Sequence, residues 1–238
     1  MGLHAQIAMI YVKNLKITNF KCRGSSVKDS AVQISAFNNV YLENLSISNG
    51  QNGIHLGWGK GFVIKDGSFL SCKNSIALNA FDDSTSGTHI GWIENGLIED
   101  CVDLDDGASD GCFCKMVGGA WCNWQRGMQV QHSDTAVANG KIYRVIMDVR
   151  DENCYPCETE PCHEYGIKKY DGIKWIAVRS SKELDCGCRN ITIKNCRLQK
   201  KRNAGVMVTL QNDESVRSCY PGCVPMPHSN ITLDSVIV

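Results

Sequence analysis

Proline is scarce in this chain, with 5 in 238 residues, and charge of neither sign is in surplus: 25 Lys and Arg face 25 Asp and Glu. So few prolines argue against long extended linkers, whereas 22 glycines fit many short turns. A formal net charge of zero supplies no long-range field to gather nucleic acid or an anionic membrane, so neither partner is expected. No run approaches the ~20 consecutive apolar residues of a membrane-spanning helix, and no membrane insertion is expected. No charged n-region, apolar h-region and cleavage site open the chain; Met1 to Phe20 alternates like a strand instead. Disorder is excluded too, because 43% hydrophobic residues provide enough apolar surface to offset the ordering entropy.

Cysteine is what the chain has in excess, with 14. In a small secreted domain that number implies a disulfide framework, but a chain this long can bury a core without staples. Many of these cysteines also fall at apolar positions of the pattern below. Buried, reduced thiols from a reducing compartment are therefore expected.

Six segments share one pattern, beginning at Asn14 (NLKITNFKC), Asn39 (NVYLENLSI), Gly61 (GFVIKDGSF), Asn95 (NGLIEDCVD), Asn190 (NITIKNCRL) and Asn230 (NITLDSVIV). The fourth residue of each is Ile17, Leu42, Ile64, Ile98, Ile193 or Leu233, and the fifth is always polar. That alternation is the strand period. The sixth residue is Asn19, Asn44, Asp66, Asp100, Asn195 or Ser235, side chains suited to tight turns. Between them runs a second series, AVQIS, GIHLG, SIALN, GCFCK and GVMVT, with inward pairs expected at Val32/Ile34, Ile54/Leu56, Ile76/Leu78, Cys112/Cys114 and Val206/Val208. Val32, Ile54 and Ile76 are 22 residues apart, as are Asn39 and Gly61. Two interleaved strand series on one period predict an all-β coil, a right-handed parallel β-helix whose turns stack apolar rows and polar turn residues. Cys101 and Cys196 share a column of the repeat, which favours stacked thiols over a disulfide.

The period breaks between Asn95 and Asn190, and the excess from 121 to 185 is rich in Trp and Tyr. A small β-rich inserted module is expected there, interrupting a coil that spans 1–120 and resumes over 186–238. Asn139-Gly140 and Asp171-Gly172, each between alternating apolar runs, read as hairpin turns. The chain opens and closes inside strands, so a piece of a longer protein, or ends that meet partners, is expected.

The stretch QNGIHLGWGKGFVIKDGSFLSCKNSIALNAFDDSTSGTHIGWIENGLIEDC, residues 51–101, resembles the pectin-lyase-like superfamily, especially polygalacturonase-type β-helices. The resemblance covers about residues 10–120 and 186–238. The segment WQRGMQVQHSDTAVANGKIYRV…PCHEYGIKKYDGIKWIAV is similar instead to small β modules of phage tail and tailspike proteins, keeping Trp124, Gly127, Asn139, Gly140, Tyr143, His163, Asp171, Gly172 and Trp175. The first resemblance implies glycoside hydrolysis by paired carboxylates. At the positions where that family carries them, however, this chain has Asn52, Lys73 and Asn74.

Other carboxylates remain as catalytic candidates: Asp82 and Asp83, in the loop after a strand of the second series, and Asp110, in the acidic loop that precedes the next. Such DD and DLDDG runs are also ordinary solvated turns. On the outward face of that series Gln33, His55, Asn79 and Lys115, with Trp58 close behind His55, form a candidate saccharide-binding set of amides, cations and an aromatic face. Cys154, Cys157, Cys162 and His163 have a spacing that zinc could use, although disulfides or free thiols serve as well. No cofactor is expected; calcium in the acidic loops and zinc in the module stay open as alternatives. The leading expectation is a phage or prophage tailspike-like protein of the virion that engages a cell-surface polysaccharide, by analogy as a homotrimer. The rivals are a secreted gut-bacterial polygalacturonase-like hydrolase and an inactive structural spacer of the virion.

Overall fold

The structure is a computed structural model that describes residues 5–24, 29–81, 91–105, 107, 110–148, 151, 153–180, 186–200, 207–212, 224–225 and 227–238. Every element in it is a strand. The first are β1 (Ala5–Arg23), β2 (Ser30–Leu56), β3 (Gly59–Asn79), β4 (Ile93–Glu99), β5 (Val102–Asp103) and β6 (Cys114–Gly118). There follow β7 (Ala120–Asn123), β8 (Met128–Val130), β9 (Thr135–Ala138), β10 (Lys141–Ile146), β11 (Tyr155–Cys157), β12 (Ile167–Tyr170) and β13 (Ile173–Ser180). The order closes with β14 (Cys188–Lys194), β15 (Arg197–Leu198), β16 (Val208–Asn212), β17 (Val224–Pro225) and β18 (Ser229–Asp234).

β1, β2, β3, β4, β14 and β18 pair in that order, all in parallel. Each strand thus lies beside the strand one turn later, which is the pairing of a parallel β-helix. The fourth residues of the six segments form a single row: Ile17 lies opposite Leu42, then Ile64, Ile98, Ile193 and Leu233. Leu42, Ile64, Ile98 and Ile193 are buried. Each such side chain contributes roughly 1.5–3 kcal/mol through removal from water. From Glu43 onwards the outward fifth residues alternate in charge, and Glu99 sits between Lys65 at 3.5 Å and Lys194 at 3.8 Å.

The corners are made by left-handed backbone. The first residues of the segments have φ from 52° to 72°, and the sixth residues from 51° to 55°. Such a conformation costs roughly 1–2 kcal/mol for most L-residues and least for Asn, Asp and Gly, which is what the sequence supplies at every one of these positions but Ser235. At the first position the amides also bond one another. Nδ2 of Asn39 donates to Oδ1 of Asn14 (3.1 Å), Asn190 to Asn95 (3.1 Å) and Asn230 to Asn190 (3.0 Å). At the sixth, Asn44 donates to Asn19 across 2.7 Å.

The period is less regular than the sequence reading has it. Phe37 opposite Gly59 keeps the 22-residue step, but Ala5 lies opposite Ser30, Gly59 opposite Ile93, Ile93 opposite Cys188 and Arg189 opposite Ser229. Strand register survives because the surplus residues leave at the corners. Two expected inward pairs shift as well. Cys114 and Met116, rather than Cys112 and Cys114, lie opposite Ile76 and Leu78, and Val208 lies opposite Cys114. Val206 is outside the described residues. The cause is a bend at Gly111 (φ 88°), where a Cβ would strike the Lys73 carbonyl. The bend delays the strand, so Phe113, expected to face outwards, packs edge-on against Phe69 in the core.

Residues 120–180 build a sheet of their own, in the order β12-β13-β10-β9-β7, with β17 added at the β7 edge. Both expected hairpin turns are present: Asn139-Gly140 (φ 47° and 71°) joins β9 to β10, and Asp171-Gly172 (φ 50° and 85°) joins β12 to β13. Strand alternation divides this sheet between two cores. Tyr143, Val145, Ile173 and Trp175 pack with Val130 and Cys157 on one face. Ile142, Ile176 and Val178 pack with Phe81 and Cys186 of the coil on the other, where the Arg144 guanidinium lies 4.1 Å above the Phe81 ring. Immediately afterwards Cys188 takes its place opposite Ile93, and the coil continues.

Ten of the twelve described cysteines are buried, and no disulfide joins any of the twelve. Burial pushes the Cys114 and Cys188 thiols well above their ordinary range. The Cys101 thiol is raised by its hydrogen bond with Cys196, one turn away, and by burial.

Candidate functional site

The outward row of the second strand series does not form a single site. His55 lies opposite Ala77, Ala77 opposite Lys115 and Lys115 opposite Thr209. A buried alanine therefore separates His55 from Lys115. Gln33 is buried, with Ala8 of β1 beside it. Asn79 closes the end of β3, its Oδ1 accepting the Phe81 N–H at 3.1 Å. Trp58 stands apart from the row at a corner.

Of the carboxylates, Asp82 and Asp83 lie outside the described residues, and Asp110 is exposed beside the Gly111 bend. In the same loop, Asp105 accepts the Gly107 N–H (3.1 Å), and the buried Asp103 accepts the Ser75 hydroxyl (2.6 Å). The turn chemistry that sequence alone allows is what Asp105 performs, whereas Asp103, at the end of β5, bonds across the coil to β3.

The amides at the family's carboxylate positions have a structural employment. Nδ2 of Asn74 donates to Oδ1 of Asn52 (2.9 Å), and Nδ2 of Asn52 donates to the Ser30 hydroxyl (3.1 Å). Oδ1 of Asn74 accepts the Cys112 N–H (3.2 Å). A carboxylate has no N–H to donate, so neither position could hold one without losing a rung.

Cys154, Cys157, Cys162 and His163 do not come together in one ligand set. No three His, Cys, Asp or Glu side chains converge on a metal position among the described residues. Cys157 is buried, receiving the Trp124 indole N–H at 3.5 Å, while Cys154 and Cys162 are exposed. The His163 ring sits between Tyr143 and Tyr170, with Nε2 3.0 Å from the Gly166 carbonyl. The Tyr143 hydroxyl donates to the His163 carbonyl (2.8 Å), and burial raises its pKa to about 12.

The residues that do converge lie at the corner before the six segments. Strand register places Trp58 one turn before Trp92, because Gly59 pairs with Ile93, and the Trp92 carbonyl accepts the Gly59 N–H at 2.9 Å. Ala36 precedes the two indoles in this column and Gly187 follows them, so small residues flank an aromatic pair. Two residues on, a second column runs Asn38, Lys60, Glu94 and Arg189. The Arg189 guanidinium lies 4.3 Å above the Trp92 ring and binds Glu94 Oε2 through Nη2 (2.7 Å) and Nε (2.8 Å). Between the columns Phe37 is buried against Phe62. Ala36, Asn38, Trp58, Lys60, Trp92 and Glu94 line a cleft of about 370 Å³, with Arg189 held beside it by Glu94 and the Trp92 ring. Trp58 was legible as a candidate. Trp92, Lys60, Glu94 and Arg189 were missed, although each tryptophan stands three residues ahead of its segment.

No known family's profile matches this chain, and no curated protein matches it. Among solved structures, a family 28 exopolygalacturonase from Yersinia enterocolitica is similar at 15% identity, over 91% of this chain and 44% of that one, with a TM-score of 0.28. This chain thus spans less than half the length of that enzyme. So distant a likeness carries no argument about activity, and the β-helix stands on its own strand pairing.

Proposed function

We propose that this β-helix engages a polysaccharide and that the Trp58–Trp92 cleft holds one of its sugar rings. The observation that carries the reading is the indole pair, set one coil turn apart beside the Lys60, Glu94 and Arg189 column. Strands one turn apart are separated by about 4.8 Å, so both indoles can meet one pyranose. The C–H faces of a sugar suit indole surfaces, while its hydroxyls need the donors and acceptors that the second column offers. A cavity of about 370 Å³ is of monosaccharide size. Recognition is favoured over pectin hydrolysis because Asn52 and Asn74 are held in amide-to-amide bonds where that chemistry needs carboxylates. The tailspike-like role, the homotrimer and the virion location belong to the same proposal. They rest on the resemblance of the segment from Trp124 to Val178 to phage tail modules and, for the trimer, on analogy with tailspikes.

The test is a glycan array probed with the unmodified protein and with Trp58→Ala and Trp92→Ala. Binding that falls at least about tenfold in both variants supports the cleft, since removal of a central aromatic anchor typically has that effect. Binding unchanged in both would remove the cleft from the mechanism. Absence of binding to any glycan would leave the spacer role.

A further inference from the structure

The amide ladder at the first position of the segments has a missing rung. Five of the six segments begin with Asn, and the exception is Gly61. Backbone conformation does not demand glycine there. Gly61 has φ 72°, and the asparagines of the same column hold 52° to 60° without difficulty. What glycine does is leave out a carboxamide.

The ladder has a direction, each Nδ2 donating to the Oδ1 of the turn before, as in Asn39 to Asn14 and Asn190 to Asn95. The vacancy therefore leaves Asn39 Oδ1 without a ladder donor and Asn95 Nδ2 without a ladder acceptor, both at the exposed surface. Asn39 Oδ1 already leans over it, 2.8 Å from where a Cβ on Gly61 would sit. The gap opens into a shallow cavity of about 390 Å³, floored by Val40 and Phe62 and walled by Tyr41 and Val63. This cavity adjoins the indole cleft residue by residue: Asn38, Lys60 and Glu94 line the first, and Asn39, Gly61 and Asn95 the second.

We infer that the missing rung is a second subsite that takes the acetamido group of an N-acetylated sugar. The inference rests on the glycan-binding reading and names its substrate class. A secondary amide carries an N–H and a C=O on one planar unit, the same pair that a ladder carboxamide presents. Its N–H donates to Asn39 Oδ1, its carbonyl accepts from Asn95 Nδ2, and its methyl meets Val63 and the Tyr41 ring. A hydroxyl at the same carbon carries its donor and acceptor on a single oxygen, whereas the amide sets them on two atoms that point in opposite directions along the ladder. Polar groups set out for a ligand amide discriminate strongly against an analogue that lacks it.

The experiment measures binding of matched oligosaccharides that differ only by acetamido or hydroxyl at C2: chitotetraose against cellotetraose, and N-acetyllactosamine against lactose. The unmodified protein should prefer an acetamido member by about tenfold. Gly61→Asn fills the rung with a residue suited to the backbone, and Asn95→Asp removes the donor while keeping the acceptor for Asn190. In both variants the preference should fall to about twofold or less with the circular dichroism unchanged. If Gly61→Asn fails to fold, Asn95→Asp decides alone. Trp58-dependent binding without an acetamido preference, or a preference that survives the substitutions, overturns this subsite and leaves the cleft standing. Binding of no glycan overturns both.

Discussion

Asn190 donates from Nδ2 to Oδ1 of Asn95 across 3.1 Å, although 95 residues of sequence separate the two. Between them the chain builds a whole further sheet and then returns to the same rung. Asn190 in turn accepts from Asn230, so the ladder continues as though nothing had intervened. The coil is specified turn by turn, through the apolar row, the left-handed corner and the amide bond, and not by a constant length of chain.

That rung should be measurable. Asn190→Ala loses two amide hydrogen bonds and places a Cβ-bearing residue without a side-chain amide at φ 54°. The expected loss is about 1–3 kcal/mol in urea unfolding, combining the bonds with the conformational penalty. Asn190→Gly relieves the backbone and should lose clearly less. Equal losses in the two variants would show that the left-handed corner contributes nothing.

The six segments were legible because each repeats the same three demands within six residues: an αL-tolerant residue, an aliphatic in the apolar row and a second αL-tolerant residue. Ile17, Leu42, Ile64, Ile98, Ile193 and Leu233 needed no structure to be aligned. Cys112 and Phe113 were misplaced because a single glycine, Gly111, bends the chain into the strand, and alternation alone cannot say where a strand starts. The site was harder still. Trp58 attracts attention by itself, but its partners Trp92 and Arg189 lie 34 and 131 residues away and become neighbours only once insertions are assigned to corners. Gln33 and Asn79 show the converse: residue type proposed a binding role, and burial or a turn hydrogen bond had already taken each side chain.

The thiols make a prediction about pH. Cys114 and Cys188 are raised by burial above the ordinary value of about 9, whereas in the bonded pair Cys101 is raised and Cys196 lowered by the same hydrogen bond. A group raised on folding contributes stability in full below its unfolded pKa and loses it as pH rises beyond that value, because the unfolded chain releases its proton first. The urea midpoint should accordingly hold between pH 7 and about 8.5 and fall from pH 9 upwards. In native buffer a thiol reagent should modify Cys154 and Cys162, which are exposed, well before Cys101, Cys112, Cys114, Cys188 or Cys196. Early modification of those coil cysteines would contradict their burial.

The inserted sheet should be removable, with a specific penalty. Cys188 pairs with Ile93, and the Gly119 N–H reaches the Cys186 carbonyl at 3.3 Å, so the two ends of the excursion meet at the coil. Replacing residues 121–185 by a short Gly/Ser linker should preserve the β circular dichroism. It also uncovers Phe81, which packs under Ile142, Ile176 and Arg144, and it leaves β17 without β7. Aggregation relieved by adding Phe81→Thr is the expected behaviour. Loss of β structure even with that substitution would mean that the coil cannot fold without the insertion.

Polygalacturonic acid should not be cleaved. Inverting and retaining glycosidases both need two carboxyl groups about the scissile bond. At the corresponding positions Asn52 and Asn74 are joined by a 2.9 Å amide hydrogen bond, and Lys73 beside them is a cation. An amide cannot pass a proton as a carboxylic acid does. Nor should Asn52→Asp with Asn74→Asp create activity: two carboxylates would face each other where a donor and an acceptor now meet. Losing the donor and adding like-charge repulsion should destabilise the fold by about 2–4 kcal/mol at neutral pH. If another glycan is cleaved, Asp82, Asp83 and Asp110 are the sequence candidates, and Asp82→Asn with Asp83→Asn should abolish turnover while sparing the fold. Reducing-sugar release from pectin by the unmodified protein would show that the correspondence of Asn52, Lys73 and Asn74 to the catalytic positions is mistaken. Release from capsular or mucin-type glycans that survives the double Asp variant would leave Asp110 as the residue to replace next.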